Sequence, residues 1–504
     1  MSARPGTVYL VGAGPGDPGL LTVRALELLA DADVVLHDRL VPGAALRAAR
    51  EDAELVFVGK RPGRDSIPQD RIEELMVERA KQGKSVVRLK GGDPMVFGRG
   101  GEEAEALAAA RIPFEVVPGV TAGVAAPAYA GIPVTHREDA SAVAFVTGHE
   151  DPEKDVESVD WEALARFPGT LVLYMGVRNL AGIAVQLIAG GRDPDEPAAV
   201  IERGTMPGQR TVTAPLSEIA AAAARERREP PAVTVIGPVA ARREALAWLE
   251  RRPLQGRTVV VTRARAQASG LAQRLAALGA GVVELPAIRI VPRIDTDDVR
   301  RSVHALHSYA LVCLTSPNGV RLLFEAMAEQ GRDARAMAAA TVAAIGSGTA
   351  GALTARGVIP DLVPETYVAE SLVEALANVD VKGKPVLVAR AAEAREVLPE
   401  ALRERGAEVD VVTLYETVAE QPAAEAVDAA RDADYLTFTS SSTVRNLVGA
   451  LGGDGLPSGA RVVSIGPVTS EAARDAGLEV HVEAQRHDID GLVEALVKDA
   501  TATR

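Results

Sequence analysis

The stretch TVYLVGAGPGDPGLLTVRALELLADA, residues 7–32, contains a short β-rich run, a glycine-rich turn and an apolar helical pattern. Similar β-rich runs alternate with longer helical patterns along the rest of the chain, and this alternation predicts an α/β fold. Gly12, Gly14 and Gly16 lie in the strand-to-helix turn, where glycine lets the backbone approach a ligand closely. Asp17 stands where a dinucleotide-binding turn has its third glycine, so the spacing disfavours a nicotinamide cofactor.

The composition is typical of an intracellular globular enzyme. The 504 residues are 47% hydrophobic and 25% charged, and at roughly 150 residues per domain they predict three or four compact units. A formal net charge of −14 disfavours nucleic acid and anionic membranes as partners. Cys313 is the only cysteine, which excludes an intramolecular disulfide and cysteine-rich metal motifs. With seven unclustered histidines, no signal-peptide core and no apolar run of roughly 18 residues, we expect a cytoplasmic protein without a metal site.

Two short strand-like segments of the first half end in charged side chains. LHDRLV contains Asp38, and VGKRPG contains Lys60. Ligands of α/β sheets usually bind at strand ends, so Asp38 is suited to act as a base and Lys60 as its electrostatic partner or a proton donor. Charges at strand ends are also common on ordinary protein surfaces, and the residues alone leave both interpretations open.

A more specific segment is VVRLKGGDPMVFGRGGEE, residues 86–103, which combines a strand, a Gly-Gly-Asp-Pro turn and a second glycine cluster. Asp93 beside Gly91 and Gly92 is suited to recognise a hydroxyl or amine, or it belongs to a tight turn. At the next strand-to-helix turn, Thr121 either contacts a ligand or caps the helix.

The second half contains an internal repeat. Three segments of one part recur in another at nearly constant spacing, which indicates two similar α/β lobes with a cleft between them. The matched pairs are Arg263 with Arg390, Ser316 with Ser440, and Thr349 with Thr469. Two extended, proline-marked stretches, LPAIRIVPRID (285–295) and VVTLYETVAEQP (411–422), are suited to carry the chain between the lobes as hinge strands.

Hydroxyl-rich turns lie between strand and helix at corresponding places in the two lobes. Such turns bind anions through backbone N–H groups and helix N-termini, or they are ordinary helix caps. The residues concerned are Ser316, Asn318, Ser347, Thr349, Ser440–Thr443 and Thr469.

The series GAGPGDPGLLT, HDRLV, VGKRPG, RLKGGDPMVFGRGGEE, PGVTA, GIPVTHR, VTGHE, YMG and ERGT closely resembles the uroporphyrinogen-III C-methyltransferases of the tetrapyrrole methylase family. The match covers about residues 5–245. It implies two unlike α/β domains that hold S-adenosylmethionine in the cleft between them, usually in a homodimer. A methylase acting on a later corrinoid is a rival within this fold, and the segments RLKGGDPMVFGRGGEE and VGKR disfavour it.

The resemblance also implies site residues. Asp38 matches the family's proposed proton acceptor and Lys60 its proposed proton donor. Asp65 departs from the family's usual histidine and puts a substrate contact in doubt. Cations suit the eight carboxylates of such a substrate, although exposed cations more often only increase solubility, and the candidates are Arg39, Lys60, Arg61, Arg64 and Arg99. The cofactor-binding candidates are Pro15, Gly91, Gly92, Asp93, Val96, Thr121, Ala122, Met175 and Gly204.

The second half resembles uroporphyrinogen-III synthase through the series TVVVTR, TSPNGV, AAIGSGTA, TLYETV, FTSSSTV and SIGPVTS. Tyr415 matches a tyrosine proposed to assist departure of the substrate hydroxyl, although by itself it is equally suited to be a core residue with a polar tip. The family uses no metal or organic cofactor. The implied substrate-binding residues are Ser316, Asn318, Thr349, Ser441 and Thr469.

Together the two resemblances name consecutive reactions. They imply a bifunctional enzyme that cyclises hydroxymethylbilane to uroporphyrinogen III and methylates that product at carbons 2 and 7 to precorrin-2. The alternative is a methylase whose second half is a non-catalytic, tetrapyrrole-binding regulatory module. The expected partners are small tetrapyrroles and a second subunit bound through the first half. The expected domains are 1–240 with an internal break near 120–140, a linker at 241–256, and 257–504, with lobe 1 at about 257–290 plus 418–504 and lobe 2 at about 294–412.

Overall fold

The chain forms two compact units, Met1–Gly256 and Arg257–Arg504, and each is described by itself. Residues 241–256, which the sequence predicts as a linker, belong to the first unit. Within this segment, Trp248 Nε1 donates a hydrogen bond to the Ala128 carbonyl. Within the described part of the chain, no helix is both long and apolar enough to cross a membrane. The computed structural model describes residues 3–59, 67–148, 159–263, 265–365, 369–452 and 455–503.

The first sheet of unit 1 is parallel throughout. Its strand order is β3-β2-β4-β1-β5, so all the carboxyl ends of its strands meet at one edge. Thr22 starts the first helix by accepting a hydrogen bond from the Ala25 backbone N–H. The elements are β1 (Val8–Gly12), α1 (Val23–Asp31), β2 (Val34–His37), α2 (Gly43–Leu46), β3 (Glu54–Phe57), α3 (Gln69–Lys81), β4 (Val86–Lys90), α4 (Gly100–Ala109) and β5 (Phe114–Val117).

Apolar layers cover both faces of this sheet. Along β1, Tyr9 and Val11 pack into one core cluster, and Val8 and Leu10 pack into another on the opposite face. A central parallel strand buried on both faces is expected to be almost wholly apolar. β4 departs from that pattern because it carries two buried cations, which are described with the site.

The second sheet of unit 1 is mixed. Its order is β6-β7-β10-β8-β9; β6 and β7 are parallel, and the other neighbours are antiparallel. Unit 1 therefore contains two unlike α/β sheets, as the resemblance implied. The elements are α5 (Ala122–Tyr129), β6 (Val143–Thr147), α6 (Trp161–Ala165), β7 (Thr170–Tyr174), α7 (Leu180–Ala189), β8 (Pro197–Glu202), β9 (Arg210–Pro215), α8 (Ile219–Arg225), β10 (Ala232–Ile236) and α9 (Arg243–Leu246).

Unit 2 contains two five-stranded sheets. Its elements are β11 (Thr258–Val261), α10 (Arg265–Ala277), β12 (Gly281–Glu284), β13 (Ile288–Pro292), α11 (Asp297–His304), β14 (Leu311–Leu314), α12 (Pro317–Glu329), β15 (Thr341–Ala344), α13 (Ser347–Thr354), α14 (Ala369–Ala375), β16 (Pro385–Ala391), α15 (Val397–Glu404), β17 (Glu408–Ala419), α16 (Ala424–Ala430), β18 (Tyr435–Phe438), α17 (Ser441–Leu451), β19 (Arg461–Ser464), α18 (Pro467–Asp475), β20 (Val480–Glu483) and α19 (Ile489–Ala502).

The sheet orders of unit 2 match the sequence repeat. One sheet has the order β12-β11-β18-β19-β20 and the other β13-β17-β16-β14-β15. The repeat pairs β11 with β16, β18 with β14 and β19 with β15, and the paired strands are neighbours in the same order, β11-β18-β19 in one sheet and β16-β14-β15 in the other. The two crossing segments pair antiparallel, from Ile288 opposite Ala419 to Pro292 opposite Tyr415. The chain thus leaves one lobe, builds the other and returns beside its exit strand.

Candidate functional site

A cavity of about 370 Å³ lies between the two sheets of unit 1, at the carboxyl ends of β1 and β4. Small-molecule sites usually have volumes of roughly 300–1,000 Å³ and mostly apolar walls. Its lining residues include Gly14, Pro15, Arg39, Leu40, Gly91, Gly92, Asp93, Val96, Phe97, Thr121, Ala122, Tyr174, Met175, Arg203, Gly204 and Met206.

Glycines that pack backbone against backbone form one wall. A Cβ atom added at Gly12 would lie 2.6 Å from the Gly92 carbonyl oxygen, and one at Gly119 would lie 2.3 Å from the same atom. Gly14 and Gly92 also exchange backbone hydrogen bonds, with N···O distances of 3.2 and 2.7 Å. No side chain fits between these turns, and Gly14, Gly91 and Gly92 line the cavity without side chains.

Asp93 holds this wall together. Its Oδ1 accepts a hydrogen bond from the Met95 backbone N–H at 2.8 Å, and its Oδ2 accepts one from the Gly119 backbone N–H at 3.0 Å. The structure therefore favours the tight-turn interpretation of Asp93. The side chain still lines the cavity, but both of its oxygens bind backbone groups.

The opposite wall depends on Tyr174, which sequence reasoning missed. Its Oη lies 2.5 Å from Thr121 Oγ1 and accepts a hydrogen bond from the Gly123 backbone N–H at 2.6 Å. Thr121 is the N-cap residue of α5, but its side chain bonds Tyr174 and makes no capping hydrogen bond. Burial raises the pKa of Tyr174, which keeps the phenol protonated at neutral pH. The only sequence signal was its position beside Met175 in the YMG segment.

Several non-glycine residues around this cavity have left-handed backbones. Phe97, Met175 and Arg203, which line it, have φ angles of 52°, 57° and 51°. Such conformations cost about 1–3 kcal/mol each and persist where the surrounding structure holds them. The left-handed backbones of these three residues determine the direction in which their side chains leave the chain at the cavity.

Asp38 follows β2 and lies directly before Arg39 and Leu40, which line the cavity. Its Oδ1 accepts a hydrogen bond from Arg88 Nη2 at 2.8 Å. Arg88 Nε also donates to Glu103 Oε1 at 3.0 Å, and Lys90 Nζ donates to that same oxygen at 2.8 Å. Burial, followed by the charge of Arg88, lowers the pKa of Lys90. Sequence reasoning missed this cluster, although two cations in an otherwise apolar strand were a visible signal.

A chain of contacts connects the GPGD turn with residues beyond α9. The Asp17 backbone N–H donates to Thr205 Oγ1 at 3.1 Å, and Tyr129 Oη donates to Asp17 Oδ2 at 2.7 Å. The Tyr129 ring lies 5.0 Å from the Trp248 ring, edge to face, and Trp248 Nε1 donates to the Ala128 carbonyl at 2.9 Å. The segment predicted as a linker thus supports a turn that borders the cavity.

A second cavity, of about 740 Å³, lies in unit 2 and is lined from both of its sheets. One side is formed by residues after β14, β15 and β16, and the other by the starts of α17 and α18. Its lining residues include Thr315, Ile345, Glu370, Arg390, Arg395, Tyr415, Ser440, Ser441, Val468 and Thr469.

Tyr415 is the best-defined polar group of this second cavity. Its Oη lies 2.8 Å from Ser316 Oγ, and its side chain also hydrogen-bonds to Asn318. Ser316 caps α12 by accepting a hydrogen bond from the Gly319 backbone N–H at 2.9 Å. Burial raises the pKa of Tyr415. The phenol is therefore protonated at neutral pH and held in a fixed orientation at the cavity wall.

Residues 7–220 match the family model of tetrapyrrole (corrin/porphyrin) methylases, and residues 269–494 match the model of uroporphyrinogen-III synthase HemD. The porphyrin biosynthesis protein HemD of Ruminiclostridium josui is 37% identical over 98% of this chain and 98% of its own length. The chain belongs to this porphyrin biosynthesis family. It joins a methylase unit to a synthase unit.

Two further proteins are similar to the methylase unit. The S-adenosyl-L-methionine-dependent uroporphyrinogen III methyltransferase of Methanosarcina barkeri is 54% identical over 47% of this chain and 94% of its own length. A solved structure of uroporphyrin-III C-methyl transferase from Thermus thermophilus, complexed with S-adenyl homocysteine, is 45% identical over 46% of this chain and 92% of that chain, with a TM-score of 0.40.

The predicted residues of the methylase unit lie as follows. Arg39 and all the cofactor candidates line its cavity, and their binding roles stay predictions. Asp38 lies beside the cavity. Arg99 is exposed and pairs with Glu102. Lys60, Arg61, Arg64 and Asp65 fall outside the described residues.

In the synthase unit, Tyr415, Ser441 and Thr469 line the cavity, and Ser441 Oγ donates to the Val468 carbonyl at 3.0 Å. Ser316 and Asn318 are not among the lining residues and reach the cavity through Tyr415. Thr349 is buried and does not line it. The repeat aligned Thr349 with Thr469, and of the two only Thr469 lines the cavity.

Proposed function

We propose that the synthase unit cyclises hydroxymethylbilane to uroporphyrinogen III and that the methylase unit methylates this product at carbons 2 and 7, using S-adenosylmethionine, to give precorrin-2. The observation that carries the proposal is the glycine-walled cavity at the carboxyl ends of β1 and β4. The S-adenosyl-L-methionine dependence of the Methanosarcina barkeri relative supports the choice of methyl donor.

The cavity of the methylase unit fits such a donor on its own features. Gly14, Gly91 and Gly92 line it without side chains, so a flat adenosine can lie against bare backbone. The walls around Met175, Ala122 and Val96 are apolar. When bound, S-adenosylmethionine supplies an electrophilic methyl group on a sulfonium sulfur.

The residues of the methylase unit position the acceptor and balance its charge. Methyl transfer to a ring carbon is an in-line displacement, in which alignment contributes up to about 7–11 kcal/mol. Attack by the ring carbon places positive charge on a pyrrole nitrogen. Asp38, held by Arg88, is placed to stabilise that charge or accept the proton that is lost. Arg39, which lines the cavity, is suited to pair with a substrate carboxylate.

In the synthase unit, Tyr415 is the proton donor we propose. Ring closure expels the hydroxyl of hydroxymethylbilane as water, and a proton must reach that oxygen as the bond breaks. A buried phenol that is protonated at neutral pH and oriented by Ser316 can supply it. Backbone N–H groups at the starts of α17 and α18 lie on the facing wall, where the substrate carboxylates can bind.

The first experiment supplies the purified full chain with hydroxymethylbilane and no methyl donor. We expect uroporphyrinogen III as the product. The type I isomer alone, which forms spontaneously, would contradict the synthase assignment and leave the second half as a binding module. Addition of S-adenosylmethionine should then give a product that carries two new methyl groups.

A further inference from the structure

Three buried charged side chains in the methylase unit are connected to a fourth, Asp38, which is partly exposed beside the cavity. The side chains of Arg88, Lys90 and Glu103 are only 3%, 4% and 0% exposed, whereas that of Asp38 is 30% exposed. The four formal charges cancel. Of these groups, only Asp38 combines substantial exposure with a place beside residues that line the cavity.

The fold explains how these groups meet. Arg88 and Lys90 are two residues apart on β4, so their side chains leave the strand on the same face. Glu103, in α4, covers that face and receives both cations on one oxygen, Oε1. Arg88 then extends past Glu103 to Asp38 at the end of the neighbouring strand β2.

The guanidinium of Arg88 connects Glu103 to Asp38 because it donates hydrogen bonds in two directions. Arg88 donates through Nε to Glu103 and through Nη2 to Asp38. A guanidinium is planar and presents its donors in a rigid fork, whereas a lysine ammonium is a single point charge on a flexible stem. With Glu103 held by Lys90 as well, the fork of Arg88 is fixed at one end and orients Asp38 at the other.

We propose that Arg88 is a positioning residue for methyl transfer, which holds the Asp38 carboxylate in its working orientation, with Glu103 and Lys90 as the buried anchor. The proposal rests on the proposed function, since it concerns the step that Asp38 assists. Arg88 itself does not line the cavity.

The test uses the full chain with Arg88→Lys, Arg88→Met, Asp38→Asn and the Arg88→Lys/Asp38→Asn double variant. Arg88→Lys keeps the buried charge and a contact with Glu103 but cannot span to Asp38. We expect its kcat for methyl transfer to fall by about 100-fold, the size expected for a small misplacement of a reacting group. The KM for S-adenosylmethionine and the affinity for S-adenosylhomocysteine should stay within about twofold. Arg88→Met should show the same kcat loss if it folds.

The double variant separates positioning from general structural support. In the Asp38→Asn background, Arg88→Lys should reduce kcat by less than about twofold, because the two residues act through one interaction. Wild-type kcat in Arg88→Lys, or losses that multiply in the double variant, would overturn the proposal. A wild-type enzyme that bound donor but methylated no uroporphyrinogen III would overturn the proposed function instead.

Discussion

The cavities of the methylase and synthase units are lined by different kinds of groups. The methylase cavity has a wall of interlocked glycines and several left-handed residues, and its volume is about half that of the synthase cavity. The synthase cavity is lined by hydroxyl groups at the starts of α17 and α18 on one side and by Arg390, Arg395 and Tyr415 on the other. Close-packed backbone suits one ligand of fixed shape, whereas two lobes with small polar groups suit a large flexible substrate. Glycines without side chains thus determine the shape of the methylase cavity. In the synthase cavity, the positions of polar side chains determine which groups a substrate can contact.

The repeat sharpens this contrast inside the synthase unit. The offset of 127 residues that aligns Val259 with Val386 aligns Tyr415 with Ile288. The duplicated lobes have similar strand orders, but only one of them contributes a tyrosine, Tyr415, to the lining of the cavity. Similar lobes therefore place different groups on the two sides of the cavity.

Loss of the glycine wall should have the largest effect. Gly12→Ala places a methyl group against backbone atoms that cannot yield, so we expect the affinity for S-adenosylhomocysteine to fall by at least about 100-fold, measured by calorimetry. Synthase activity of the same preparation should be unchanged. The matched control is Gly182→Ala, whose added Cβ meets nothing within 4 Å. Equal loss in both variants would count against a shaped backbone wall.

Asp38→Asn should have the next largest effect. Asparagine keeps the size of the side chain but removes the charge and the ability to accept a proton. We expect methyl transfer to slow by about 10²–10⁴-fold, the usual contribution of acid–base groups, with donor affinity and ring closure intact. Single-turnover methylation measured by mass spectrometry checks this, and an unchanged rate would remove the role assigned to Asp38.

Tyr415→Phe tests the one-sided chemistry of the synthase cavity. Loss of the proton donor should slow uroporphyrinogen III formation by about 100-fold without changing methylation of supplied uroporphyrinogen III. The control is Tyr435→Phe, which also loses a buried hydroxyl contact, from Tyr435 Oη to Asp499, but does not line the cavity. If both variants lose activity equally, Tyr415 has only a structural role.

The smallest effect should come from the segment after α9. Trp248→Ala removes an edge-to-face contact worth about 0.5–1.5 kcal/mol with Tyr129, so donor affinity should weaken by about 2- to 10-fold. Leu246→Ala, at the last residue of α9 and also exposed, should leave it unchanged. If both variants bind the donor equally well, the segment that contains Trp248 does not support the cavity.

Much of this architecture could be predicted from sequence because it is local or repetitive. Strand, turn and helix alternate with visible periodicity, and the aligned segments of the second half occupy matching places in two sheets. Contacts between distant segments could not be predicted. The position of Glu103 in α4 does not show that it binds Arg88 and Lys90 of β4. Likewise, the position of Thr121 at a helix start does not show that its hydroxyl binds Tyr174 of β7. Residues 241–256 contain charge and proline typical of a linker, and their hydrogen bonds to earlier residues, such as Trp248 to Ala128 and Gln255 to Pro207, could not be predicted.

The most direct test of a chain with two working cavities is a one-pot reaction. The full chain receives hydroxymethylbilane and S-adenosylmethionine labelled with ¹³C in its methyl group, and the product is characterised by NMR and mass spectrometry. We expect a type III macrocycle that carries two labelled methyl groups. An unmethylated product, or the type I isomer, would contradict it.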